Sequence, residues 1–123
     1  MLTACAYGLT ILLAAGIIFI GFRFLLMRHA AAVSFGLPFK GPTAEAYLAT
    51  KGLRDLTYGI LGIVLLAVAS TQTVGWFLIV TATVPIGDSL IVLRYGGKPA
   101  VALGIHLATA LAMLIAAALL FAL

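Results

Sequence analysis

The chain has 123 residues, of which 65% are hydrophobic and only 8% charged. Its mean hydropathy is +1.31. A soluble domain of this length has no interior large enough to hide that much apolar surface, so a soluble fold is excluded and a bilayer is expected to cover it. The net charge is +4, which in a soluble protein would suggest nucleic acid. Here the basic residues flank apolar runs, and the membrane-topology reading takes precedence: no nucleic-acid partner is expected. The single cysteine, Cys5, excludes an internal disulfide. No Walker loop, HExxH, GxSxG or CxxC motif occurs, which removes the sequence support for several common chemistries.

The first apolar run extends from Leu2 to Met27, broken only by Arg23. No Lys or Arg precedes it and no small-residue cleavage site follows it, so it is expected to be a retained span rather than a secretory signal. Gly8, Leu12, Ala15, Gly16, Phe19 and Arg23 fall near one helical face, where small residues would permit close helix contact. A connector from Arg28 to Pro42 follows, and its Gly36, Pro38, Gly41 and Pro42 oppose a continuous helix. Thr43 is the expected N-cap of the second helix, with Glu45 in the first turn placed favourably against the helix dipole.

That second helix holds the most unusual stretch of the chain, Tyr47 to Gly59. Lys51, Arg54 and Asp55 stand at the head of the apolar run Ile60–Ala69. At about 100° per residue, Tyr47, Lys51, Arg54, Asp55 and Tyr58 occupy one arc of roughly 100°, and Leu53, Leu56, Ile60, Val64 and Ala67 occupy the opposite side. Gly52, Gly59 and Gly62 flank the polar arc, where a neighbouring backbone could approach. Ser70 to Thr73 forms an uncharged turn. The third span runs from Val74 to Tyr95, with Trp76 as an interfacial anchor. Pro85 inside it frees the carbonyl of Thr81, which directs that side towards protein, water or ligand. Asp88 lies on nearly the same face. After a basic turn with Arg94 and Lys98, the alanine-rich fourth span carries one ionisable group, His106, on a face shared with Ala102, Thr109 and Met113.

The expected fold is therefore all-α: an integral membrane four-helix bundle forming one domain, with spans near residues 3–27, 45–69, 74–95 and 100–121. Basic residues follow the first and third spans and are missing from the middle turn and both ends. The positive-inside rule then puts both termini on the non-cytoplasmic side of a plasma or internal membrane. At 1.5 Å per residue, Arg23, Asp88 and His106 come to similar depths in the cytoplasmic half, near the Lys51–Tyr58 stretch. Such a bundle would gather them into one pocket.

These motifs resemble an uncharacterised family of small four-span integral membrane proteins of bacteria and fungi, classed as a domain of unknown function. The resemblance covers nearly the whole chain. It rests on Gly21-Phe22-Arg23, the Gly-Leu-Pro38 loop, Lys51-Gly-Leu-Arg54-Asp55-Leu, Pro85-Ile-Gly-Asp88 and His106. It implies a topology and no activity.

The residues themselves favour a pocket that binds or converts a lipophilic small molecule by proton transfer, as an isomerase, cyclase or hydratase would. Asp55, Asp88 and His106 are the expected acid–base groups, and Arg23, Lys51, Arg54 and Tyr58 the expected substrate-binding groups, with the arginines holding an anionic or carbonyl oxygen. No cofactor is expected, and no metal, since Asp55, Asp88 and His106 lack ligand spacing. The expected partners are the lipid bilayer and that small molecule. Two alternatives stand beside this reading: a small transporter or exporter acting as a homo-oligomer, and an accessory membrane subunit whose polar cluster serves assembly.

Overall fold

The computed structural model describes residues 1–123 and contains helices and no strands. The helices are α1 (Leu2–Leu26), α2 (Arg28–Phe35), α3 (Pro42–Val68), α4 (Thr71–Thr81), α5 (Thr83–Arg94) and α6 (Pro99–Phe121), the last with π-helical turns over Ala102–Leu107. Three stretches are long and apolar enough to cross a membrane: α1, the α4–α5 pair over Thr71–Arg94, and α6. α3 is longer still, at 27 residues, but Lys51, Arg54 and Asp55 interrupt its apolar character. Only 24 of 123 residues are buried, while Leu12, Leu26 and Val68 are 68–77% exposed. An exterior this apolar is consistent with a multi-pass membrane protein.

Backbone contact between α1 and α3 organises the packing. A Cβ added at Gly21 would lie 2.8 Å from the Gly52 carbonyl oxygen, one at Gly52 would lie 2.8 Å from the Gly21 carbonyl oxygen, and one at Gly59 would lie 2.9 Å from the Ala14 carbonyl oxygen. The pairing of Gly21 with Gly52 and of Ala14 with Gly59 makes the two helices antiparallel. The close approach expected at Gly52 and Gly59 is present. The face that α1 offers is different from the expected one: Ala6, Thr10, Ala14, Gly21 and Phe24 are its buried residues, while Gly8 and Gly16 have nothing within 4 Å of an added Cβ. Steps of three, four and seven residues keep the buried set on one stripe, and Gly8 and Gly16 fall off it.

At the end holding both termini, Ala6, Val74, Leu78, Ala116, Ala117 and Leu120 form a dry cluster joining α1, α4 and α6. Alanines let these helices approach closely, and the Trp76 and Phe121 rings close the edge at 5.5 Å. The opposite end is closed by α2, which occupies a region expected to be non-helical. Its Ala30-Ala31-Ala32 run favours helix strongly, and the helix-breaking residues begin only at Gly36. Gly36 ends α2 in the left-handed region at φ 101°. Its carbonyl oxygen would lie 2.6 Å from a Cβ at Gly97, so α2 is wedged onto the α5–α6 turn.

Helix starts also differ from expectation. Gly41, not Thr43, precedes α3, with Pro42 in its first turn; proline's fixed φ and missing N–H suit that position. α4 begins at Thr71, earlier than expected, because the Ser70 hydroxyl accepts a hydrogen bond from the Thr73 N–H at 3.2 Å. The α4–α5 break follows the expected disruption by Pro85. The Thr81 hydroxyl donates to the Phe77 carbonyl and the Thr83 hydroxyl to the Val80 carbonyl, each at 2.7 Å, so side chains cover backbone acceptors beside the break.

Gly52→Ala should therefore lower thermal stability by about 1–3 kcal/mol, because the new methyl meets backbone that cannot rotate away. Gly8→Ala, facing open space, should instead be neutral or stabilising by up to about 1 kcal/mol. Thermal unfolding of both variants in the same detergent checks the contrast.

Candidate functional site

A cavity of about 270 Å³ lies between α1, α2, α3, the α4–α5 pair and α6. α1 supplies an apolar wall that includes Leu13, Ile17 and Ile20, and the α4 side adds Phe77 and Leu78. Lys51, Asp55 and Tyr58 enter from α3, Asp88 from α5 and His106 from α6. Five of the seven expected site residues thus share one cavity. Arg23 and Arg54 do not line it. The Arg23 Nη1 donates to the Ser34 hydroxyl at 3.3 Å, and Arg54 is exposed on the outer side of α3. The reason is rotational: the close contact at Gly52 and Gly59 turns α3 so that Lys51 and Asp55 face inward, while Tyr58 lines the cavity from a partly exposed position. Arg54, although on the same broad arc, is left at its edge, and Tyr47 is 74% exposed.

Asp55 is buried, and one of its oxygens accepts a 2.7 Å hydrogen bond from Lys51 Nζ. The i,i+4 spacing makes this pair available within one helix. The ammonium also lies 4.8 Å from the centre of the Phe24 ring and 5.0 Å from that of Phe35. Lys51 is therefore held by one carboxylate and two aromatic faces, which replace part of its lost hydration.

His106 is fixed from α2. Its Nε2 lies 2.9 Å from the Phe35 carbonyl oxygen. A carbonyl only accepts, so Nε2 carries a proton, and in the neutral ring Nδ1 is the bare, basic nitrogen. The Phe35 ring stands edge-on to the imidazole at 4.4 Å. His106 also sits within the π-helical turns of α6, a distortion frequently found at functional sites.

Asp88 has no ion-pair or hydrogen-bond partner, although its side chain lines the cavity. The other polar groups are largely occupied. Thr10, Thr81 and Thr109 line the wall, but their hydroxyls donate to the Ala6, Phe77 and Ile105 carbonyls of their own helices. The groups left to meet a ligand are the Asp88 carboxylate, the Tyr58 hydroxyl and the His106 ring. No three His, Cys, Asp or Glu side chains come together as a metal-ligand set.

Phe24, Phe35 and Phe77 are neighbours of the cluster that sequence reasoning missed. Phe35 lay in a stretch expected to be a loop, and nothing local marks it as a partner for residues 16 and 71 positions further along. The alanine run before it was the available signal for the helix that delivers it.

A family profile described as a domain of unknown function (DUF4267) matches residues 14–120. No curated protein and no solved structure matches the chain.

The Lys51–Asp55 pair should behave as a coupled unit. Lys51→Met leaves the buried carboxylate alone, and Asp55→Leu leaves the ammonium alone; each should cost about 3 kcal/mol. The double variant should recover most of that loss. A double-mutant cycle read by thermal unfolding checks the coupling.

Proposed function

We propose, from the premise that the chain belongs to the DUF4267 family, that this is a multi-pass membrane protein binding a lipophilic small molecule in the α1–α6 cavity and moving a proton on it. One observation carries the reading: an apolar cavity reached from every long helix holds the unpartnered Asp88 and the oriented His106 together. Apolar walls with a few convergent polar groups suit a ligand with a hydrocarbon body and one polar end.

In this reading Asp88 is the base and His106 the proton carrier, with Nδ1 as its working nitrogen. Asp55 positions Lys51, whose ammonium stabilises developing negative charge, and Tyr58 supplies a hydrogen bond. Isomerisation, cyclisation and hydration fit this group set. Arg23 and Arg54, outside the cavity, are assigned to the headgroup region. A transport reading draws on the break at Thr81–Thr83, because discontinuous helices beside a central site are characteristic of transporters. Flux driven by a pH gradient in proteoliposomes would favour it.

The same reading makes α3 a fourth crossing, with both termini and the Ser70 turn outside. Its 27 residues span about 40 Å, which exceeds the hydrocarbon layer of roughly 30 Å. Lys51 and Asp55 are turned inward and paired, so they need not face lipid. In a Cys5→Ser background, Gln72→Cys should react with a membrane-impermeant maleimide from outside intact cells, and Lys98→Cys only after permeabilisation. The reverse pattern overturns this orientation.

The chemical reading is tested by comparing lipophilic metabolites of cells carrying the intact gene, no gene, Asp88→Asn or Asp55→Asn. Loss of a product and accumulation of its precursor are expected in all three altered strains, with the membrane protein level retained in Asp88→Asn. Unchanged metabolites across the set would remove the enzyme reading.

A further inference from the structure

The charges inside the cavity do not cancel. Lys51 and Asp55 neutralise each other at 2.7 Å, and the expected cationic partners, Arg23 and Arg54, lie outside. Lys51 cannot serve both carboxylates equally, because Asp55 and the Phe24 and Phe35 rings already surround it. With His106 neutral, the cavity therefore holds one unmatched negative charge, on Asp88. A lone carboxylate in a cavity whose walls include Ile17, Ile20 and Phe77 is costly unless a proton or a cation accompanies it.

We infer that the cavity selects a lipophilic cation, an amine or quaternary ammonium with a small hydrocarbon body, and that Asp88 is its counter-ion. This rests on the cavity being a ligand site, and it reverses the sign of ligand expected from the arginines. Tyr58 and Phe77 give the cation aromatic surfaces in addition to the carboxylate. At about 270 Å³, the cavity is nearly twice the roughly 150 Å³ that takes up one benzene. A single aromatic ring bearing a short ammonium arm fits that size. The cation and a proton compete for Asp88. The groups facing Asp88 are Lys51, Asp55 and Tyr58 of α3 and His106 of α6; the α1 wall contributes no charge. Protonating Asp88 removes its charge, so acid weakens cation binding.

The test uses the full chain in nanodiscs, with empty nanodiscs subtracted, and two probes of one shape: benzyltrimethylammonium and its neutral carbon isostere, neopentylbenzene. Equilibrium dialysis near neutral pH should give the cation an advantage of about 10-fold or more, the equivalent of about 1.4 kcal/mol. Asp88→Asn should abolish that advantage while still binding neopentylbenzene, which reports that the cavity is folded. Asp88→Glu should keep the advantage. If Asp88→Asn does not fold, the wild-type protein decides: as the pH is lowered, cation binding should fall while isostere binding holds. Equal binding of the two probes overturns the charge selection and leaves the ligand-site reading standing. So does an advantage that survives Asp88→Asn, or one that persists in acid. Binding of neither probe overturns both readings.

Discussion

The backbone contact between α1 and α3 is the constraint on which the rest of the structure depends. It is made where Gly21 and Gly52 bring main chain against main chain, and where Gly59 admits the Ile17 and Ile18 side chains beside the Ala14 carbonyl. Lipid supplies no hydrophobic drive for helices to associate, so close packing of small residues must supply the attraction. The contact also has an angular effect. With Gly52 and Gly59 against α1, the helix presents Lys51 and Asp55 to the interior and Arg54 to the outside. A rotation of α3 by one residue, about 100°, would exchange these roles and place a different charge in the cavity.

The two ends of the molecule solve different problems. At the termini, alanine-rich faces of α1, α4 and α6 pack into an apolar cluster that contains no charged side chain. Towards α2 the helices diverge around space, and polar groups are held by one another. Lys51 is held by Asp55 and two rings, and His106 by the Phe35 carbonyl. Asp88 is held by nothing. That asymmetry leaves one buried polar pair satisfied within α3 and one carboxylate in the same cavity without a partner.

Much of this was legible in the chain because membrane constraints act on composition. Apolar runs of about 20 residues, the glycines of α3, Pro85 and the sparse ionisable residues each carry a local signal. The face shared by Lys51, Asp55 and Tyr58, and that shared by Thr81, Pro85 and Asp88, follow from helical periodicity alone. What periodicity leaves open is the rotation of each helix against its neighbours. Arg54 and Asp55 are adjacent in sequence, and only the packing of Gly52 and Gly59 decides which one turns inward. α2 was missed for a related reason: prolines and glycines near its end outweighed three alanines at its centre. The π-helical turns over Ala102–Leu107 left no readable mark in the chain.

Those turns bear on how α6 can change over time. A π segment holds about one residue more than the α-helical turn it replaces, so the stretches before and after it are out of phase by about 100°. Ala102–Leu107 packs on α5, and Ala108–Phe121 packs on α1 and α4. The slip in phase lets one continuous rod meet two sets of neighbours, each at its own rotation. It acts as a vernier: the segment bearing His106 can be re-aimed while the alanine core beyond it keeps its fit. Variation among proteins built this way would then concentrate on the π turns and on Phe35, leaving the dry core unaltered.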